Sequence, residues 1–323
     1  MVEIASENLT VTNEREGAGD TPSISRGDGP NRQPIPPVLY KYQEFAPHTL
    51  ENLVRRQIWF SKPETFNDPF DCAIPIADSS ASDADWEREL QAYKEDREIQ
   101  DSTLADFFPN GSRDPEVREV VRQAYEHTAR EWQERTRTRH GVCCFSSVNS
   151  DLLMWGHYAD KHRGLCLGFR TDTPLFVKLH PVQYSTEVPE QNPTEPFCGT
   201  TESPYELLRK FLLVKSQCWA YEQEWRLVHV EGNKAYGYGA GDLVAVYFGL
   251  EMPEAWREVV GKLLDGTGTE FYKMKRHPTK FAVVSEQMDF HPTVVAMKAS
   301  SSTPAPRDEA PSPKTRPPPA RCR

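Results

Sequence analysis

Residues 219–228 read WAYEQEWRLV. Two carboxylates stand two residues apart, an arginine follows two further on, and tryptophans flank them. Successive side chains of an extended chain alternate between faces. Read as a strand over 222–230, the stretch puts Glu222, Glu224 and Arg226 on one face and Gln223, Trp225 and Leu227 on the other. One face is charged and the other is largely apolar. Carboxylates about 7 Å apart along a strand can form a solvated ion-pair row. They can also form the working edge of a cleft, where burial or a second carboxylate raises a pKa and the arginine lowers it.

Outward from this strand, Val38–Tyr42, Gln57–Ser61, His140–Phe145, Leu165–Phe169, Val182–Ser185 and Leu243–Phe248 read as further strands, with two more near 270–275 and 281–285. Helices are expected over Thr49–Arg56, Asn149–Asp160, Pro204–Lys215 and Pro253–Leu264. Residues 83–138 read as a helical insertion. Trp86, Leu90 and Tyr93 share one face; Asp114-Pro115 then starts a second stripe through Val117, Val121, Ala124, Thr128 and Trp132. This is not a clean βαβ series. The expected class is α+β, a mixed, mainly antiparallel sheet with flanking helices and a helical insertion.

The chain has 323 residues, 37% hydrophobic and 27% charged, with a net charge of −10. Residues 1–36 and 299–323 are polar and rich in Pro, Ser, Gly or Asn, too poor in apolar area to offset ordering entropy, so both are expected to be disordered. One folded domain is expected over 37–298. The acidic balance gives no general attraction for phosphate backbones, so there is no strong nucleic-acid signal, although a local basic patch is compatible with it. The start has neither a basic n-region nor an apolar h-region, and no run of about eighteen apolar residues spans a membrane. Seven cysteines, an odd number, fit neither a disulfide framework nor a paired zinc motif. The expected compartment is cytoplasmic.

Two other stretches carry chemistry-bearing residues. In Phe66-Asn-Asp-Pro-Phe-Asp-Cys72, Asn67 or Asp68 before Pro69 favours a turn, and Asp68 or Asp71 is a candidate to face a cleft and position substrate or an arginine. In Met154-Trp-Gly-His-Tyr-Ala159, His157 and Tyr158 supply a titratable ring and a phenol. Gly156 reads as a point of close approach. Nucleotide-loop, nucleophile-elbow, metalloprotease and EF-hand patterns are absent, and Gly237-Tyr-Gly-Ala-Gly241 reads as a loop.

Three blocks together resemble a bacterial domain-of-unknown-function family, number 2971. They are Leu39–Tyr42 with Ile58–Asp71; Cys144–Ser146 with Met154–Ala159 and Gly164–Phe169; and Lys215 with Trp219–Arg226. That resemblance implies a fold unit over most of 38–285 and no activity. A more distant resemblance is to ADP-ribosyltransferases. The ordered signatures are Tyr40/Lys41/Tyr42, then Phe145-Ser-Ser147, then Glu222-Gln-Glu224. It implies NAD as a substrate, an unidentified macromolecular acceptor, and toxin action or phage defence as the setting. Glu224 would be catalytic and Glu222 would face the acceptor. Ser146 would support the glutamate, and Tyr42 or Lys41 would touch the dinucleotide. His157 and Tyr158 join the catalytic candidates; Asn67, Asp68 and Arg226 join the binding candidates. No metal is predicted on this reading. The sequence departs from the pattern in having no Arg at the first position and no full S-T-S.

Two other classes compete. One is metal-assisted phosphodiester hydrolysis by Asp68, Asp71, Glu222 and Glu224, which requires those carboxylates to converge. The other is a non-enzymatic binding or sensing module walled by Trp59/Phe66/Phe70, Trp155/Tyr158 and Trp219/Trp225.

Overall fold

A computed structural model of the protein describes residues 33–75, 115–189 and 204–290. The expected tails, apart from residues 33–36, and the 83–114 part of the expected insertion lie outside the described residues. So do Cys198 and Cys322.

In chain order the elements are β1 (Val38–Gln43), α1 (Pro47–Arg55), β2 (Gln57–Phe60), α2 (Pro115–Arg139), β3 (Gly141–Ser146), α3 (Leu152–Tyr158), β4 (Leu165–Arg170), β5 (Leu179–Pro181), β6 (Gln183–Ser185), α4 (Pro204–Leu213), β7 (Val214–Ser216), β8 (Glu224–His229), β9 (Lys234–Gly237), β10 (Leu243–Phe248), α5 (Glu254–Leu263), β11 (Glu270–Arg276) and β12 (Val283–Met288). Short 3-10 turns cover Pro63–Thr65, Pro174–Phe176 and Gln217–Glu222. Eight strands form one sheet in the order β12-β11-β10-β4-β1-β3-β8-β5. Within it β10 and β11 are parallel, with α5 as their crossover, and the other pairs are antiparallel. The α+β class with a mainly antiparallel sheet is what the alternation of apolar runs leads one to expect.

Alternation along each strand builds two faces. Leu39, Leu165, Leu167, Phe169, Val246, Phe248 and Phe271 pack on one side with Leu53 of α1 and Val260 of α5. Tyr42, Cys166, Ala245, Tyr247 and Met274 pack on the other with Met154 and Trp155 of α3. Each fully buried Leu, Val or Phe contributes roughly 1.5–3 kcal/mol. Asp151 caps α3, accepting from the backbone N–H groups of Leu153 at 2.8 Å and Met154 at 2.9 Å. Long α2 lies against α4 through Trp132 on Phe211, and Gln133 donates to the Ile74 carbonyl at 2.9 Å.

The sheet is not uniformly closed. β1 pairs with β4 along six residues, and β3 pairs with β8 along six. Between β1 and β3 only Tyr40 and Ser146 are partners. The halves splay there, and Lys41 Nζ reaches across to the Cys144 carbonyl at 3.3 Å.

Several expectations change. The strand expected over 222–230 begins at Glu224, because Glu222 closes a 3-10 turn and Gln223 is left-handed, φ 45°. Lys215, expected at the end of a helix, lies in β7. The run expected to be loop from Gly237 starts as the last residue of β9, which pairs with β2.

After α3, Asp160, Lys161 and His162 all have positive φ, 45°, 55° and 67°. Non-glycine residues rarely take this conformation, at roughly 1–2 kcal/mol each. Neighbours hold the turn: His162 N donates to Trp155 O at 3.0 Å, and Glu251 N donates to His162 O at 3.0 Å. A Cβ at Gly249 would stand 2.2 Å from the His162 carbonyl oxygen. Gly249→Ala is therefore expected to destabilise the fold by at least 1–3 kcal/mol, on the order of an overpacked core. Urea denaturation measures this, and an unchanged midpoint would contradict the account.

Candidate functional site

A cavity of about 460 Å³ opens in the wedge between β1 and β3. Tyr40, Lys41 and Tyr42 line it from the open edge of β1, and Cys144, Phe145 and Ser146 from β3. Met154, His157 and Tyr158 enter from α3, and Phe66, Asn67 and Asp71 from the loop after β2. Lys215, Glu222, Glu224 and Arg226 line it as well, with Ser61 and Thr65.

The floor is a buried ionic network. Arg226 is fully buried. Its Nε donates to Glu224 Oε1 at 2.8 Å, and Nη2 to Glu224 Oε2 at 3.0 Å and Asp71 Oδ2 at 2.6 Å. Nη1 donates to Asp71 Oδ1 at 2.9 Å and to the Leu212 carbonyl at 2.6 Å. All five guanidinium N–H groups are thereby used. Below it, the Phe66 ring lies 5.5 Å from the guanidinium carbon. Lys215 Nζ donates to Glu222 Oε2 at 2.5 Å and Glu224 Oε2 at 3.1 Å, and lies 3.6 Å from Asp71 Oδ2. Tyr158 Oη donates to Glu222 Oε1 at 2.6 Å. Three carboxylates against two cations leave one net negative charge if all are ionised.

The left-handed Gln223 brings the two glutamates to one lysine, closer than an extended strand would place them. β3 holds that turn. Ser146 Oγ donates to the Glu222 carbonyl at 2.6 Å, Ser147 N to the Gln223 carbonyl at 3.1 Å, and Ser147 Oγ to Gln223 Oε1 at 2.8 Å. Tyr184 Oη accepts from Glu224 N at 2.8 Å.

The environment drives the glutamates apart. Burial raises the Glu222 carboxyl above its ordinary value, with Lys215 opposing and Glu224 adding to the rise. Burial acts on Glu224 in the same sense, but Arg226 and Lys215 outweigh it and hold Glu224 at about 2. Burial opposes charge on Lys215, yet Glu224, Asp71 and Glu222 raise its pKa. Burial and the bond to Glu222 raise the Tyr158 phenol.

The candidates read from sequence divide as follows. Glu222, Glu224, Arg226, His157, Tyr158, Tyr42, Lys41, Ser146 and Asn67 all line the cavity. Asp68 does not line it: its Oδ1 accepts from Phe70 N at 2.9 Å and its carbonyl from Asp71 N at 3.1 Å. It shapes the turn that presents Asp71, the loop carboxylate that grips the arginine. His157 is exposed at the mouth between the rings of Tyr158 and Trp219. Tyr42 is a wall, its Oη donating to the Val148 carbonyl at 2.9 Å and its ring edge-on to Trp155. Gly156 has nothing within 4 Å of where a Cβ would stand, so it marks no close approach. Of the paired aromatics, Trp155 and Trp225 are core, whereas Trp59 and Phe70 are exposed.

Lys215 is the cavity residue that strand periodicity misses. Its signal is a lysine closing the apolar run Phe211-Leu-Leu-Val214, where an ammonium must find partners. The four-carboxylate cluster that metal-assisted hydrolysis requires does not form. Asp68 stands apart, and Lys215 or Arg226 occupies the inward oxygens of Asp71 and Glu224. Among the described residues no group of three His, Cys, Asp or Glu is arranged to hold a metal ion.

Residues 154–227 match DUF2971, a protein family of unknown function. The DUF2971 match contains Met154–Tyr158 of α3, Lys215, Glu222, Glu224 and Arg226, and begins after Lys41, Tyr42 and Asp71. No curated protein and no solved structure matches the chain. Among the described residues no helix is long and apolar enough to cross a membrane.

Replacing Arg226 with methionine leaves Asp71 and Glu224 facing each other in a dry site. Arg226→Met is expected to lower the unfolding free energy by roughly 3–5 kcal/mol, read by urea denaturation at neutral pH. Glu224 also predicts an acid limb. Its folded pKa lies below the ordinary 4.5, so its contribution is present above 4.5 and lost as pH falls toward about 2. Glu222, raised in the folded state, contributes in the opposite sense, its share lost as pH rises. The fall of thermal midpoint below pH 4.5 is expected to be shallower in Glu224→Gln than in wild type; parallel curves would remove Glu224 from the acid limb.

Proposed function

We propose that the chain is an ADP-ribosyltransferase-like enzyme that cleaves the N-glycosidic bond of NAD and passes ADP-ribose to an acceptor. The observation that carries this reading is the meeting of three distant segments, Tyr40–Tyr42, Phe145–Ser147 and Glu222–Glu224, around one cavity. At about 460 Å³ the cavity is within the usual range for a bound small molecule, roughly 300–1,000 Å³.

The chemistry follows from the two carboxylates. The C1′–N bond breaks with its electron pair leaving on nicotinamide, and positive charge builds on the ribose. Glu224, ionised over the whole neutral range and fixed by Arg226, is the carboxylate that opposes this charge. Arg226 and Lys215 offset part of its charge, but they also remove its freedom to move. Glu222, with the raised pKa, is suited to accept the proton that an acceptor hydroxyl or amine loses as it attacks C1′. Tyr158 and Lys215 orient it. Lys41 is the cavity cation outside the ionic network; its ammonium donates to the Cys144 carbonyl, so it suits a phosphate of the dinucleotide.

Nicotinamide release from NAD tests the proposal. Glu224→Gln is expected to lower kcat by about 100-fold or more, the scale for removing one transition-state electrostatic partner. Glu222→Gln is expected to keep nicotinamide release better than transfer, and Lys41→Met to raise KM more than it lowers kcat. Thermal midpoints of each variant separate lost chemistry from lost fold. A wild-type protein that NAD stabilises against heat but that releases no nicotinamide would be a binding module, and the enzyme reading would fall.

A further inference from the structure

The β11–β12 hairpin stands apart from the acidic chain. β11 pairs with β10 only from Glu270 to Lys273, whereas its pairing with β12 continues to Arg276 opposite Val283. Three paired rows therefore overhang the sheet, about 10 Å at roughly 3.3 Å per residue, before the 277–282 loop. The overhang is anchored: Met274 and Val283 are buried in the cluster that holds Tyr42 and Trp155. His277 N donates to the Ala282 carbonyl at 2.9 Å across the loop.

Residues 273–281, KMKRHPTKF, carry Lys273, Lys275, Arg276 and Lys280 with His277 and no acidic residue, in a chain of net charge −10. Lys275 pairs with Glu286, and Arg276 with Glu251 at 3.1 Å. Both pairs are solvent-exposed, so a phosphate can compete for either cation at little cost. Lys273 and Lys280 have no ion-pair partner among the described residues. At the tip Phe281 is fully exposed, 103% of its reference area, and Val284 behind it is 41% exposed. One exposed phenylalanine is ordinary on a surface. An exposed ring at the end of an anchored overhang, among cations, is the pairing of stacking platform and phosphate contacts that single-stranded nucleic acids use.

We propose that this hairpin docks single-stranded nucleic acid, a base stacking on Phe281 and phosphates contacting Lys280 and its neighbours. The charge balance selects a thin strand over a broad anionic surface. Outside 273–281 the described residues hold 21 Lys or Arg against 26 Asp or Glu, and a broad anionic surface would meet that acidic remainder as well; a single strand meets the overhang alone. The inference does not rest on NAD cleavage.

Fluorescence anisotropy of the full chain with labelled oligothymidylate of about 15 nucleotides tests it. Binding at low salt is expected, with log K falling against log salt by about 1.4–2.8, from ~0.7 per cation for two to four cations. Phe281→Ala and Lys280→Glu are each expected to weaken binding at least about fivefold, with thermal midpoint and nicotinamide release as in wild type, because both side chains are exposed. No binding at low salt would overturn the proposal. So would binding that both variants leave unchanged, equal binding of duplex, or capture by anionic vesicles in place of the oligonucleotide.

Discussion

Everything at the centre of this protein is arranged around the guanidinium of Arg226. A cation with no exposure to water costs several kcal/mol unless its donors are met. Here each of the five N–H groups has an acceptor, drawn from the loop after β2, the end of α4 and the same strand. An apolar set of similar volume could be as stable. What the ions contribute is position: Asp71 fixes the plane of the guanidinium, the guanidinium fixes Glu224, and Lys215 ties Glu224 to Glu222. Tyr158 then sees a carboxylate with one orientation.

That arrangement needs an opening, and the sheet supplies it by failing to close. Between β1 and β3 a single register pair survives, so the backbone edges beyond it separate. Residues from both faces of β1 can then line one cavity, because it lies at the strand's edge and not over a face. Lys41 spans part of the gap where a ladder hydrogen bond would have been.

Much of this is legible in the residues. The alternation of apolar runs locates most strands, and the charged row Glu222, Glu224, Arg226 does meet in a cleft. Asp71 is one of the two carboxylates expected to position an arginine. The family resemblance, resting on blocks from three parts of the chain, holds for residues 154–227. The misses share a cause. A left-handed residue such as Gln223 has no side-chain signature, so periodicity starts the strand two residues early. Asp68 and Asp71 differ only in which way a turn sends them, and that depends on a hydrogen bond to Phe70. Lys215 looks like the polar end of an amphipathic helix because its partners lie seven and nine residues on, beyond any helical period. Short β7 and β9 are held by their neighbours more than by their own composition.

The order of strands also says what can be cut away. The DUF2971 stretch contributes β4, β5 and Glu224–Leu227 of β8 to the large sheet, yet β4 is not a neighbour of the other two: β1 and β3, from outside it, lie between. Excised, residues 154–227 would hold β4 with both edges bare, a β5–β8 pair without β3, and an arginine missing the carboxylate of Asp71. The matched stretch is thus an interleaved part of a larger unit, and any autonomous fragment has to begin no later than β1 and carry the loop that delivers Asp71.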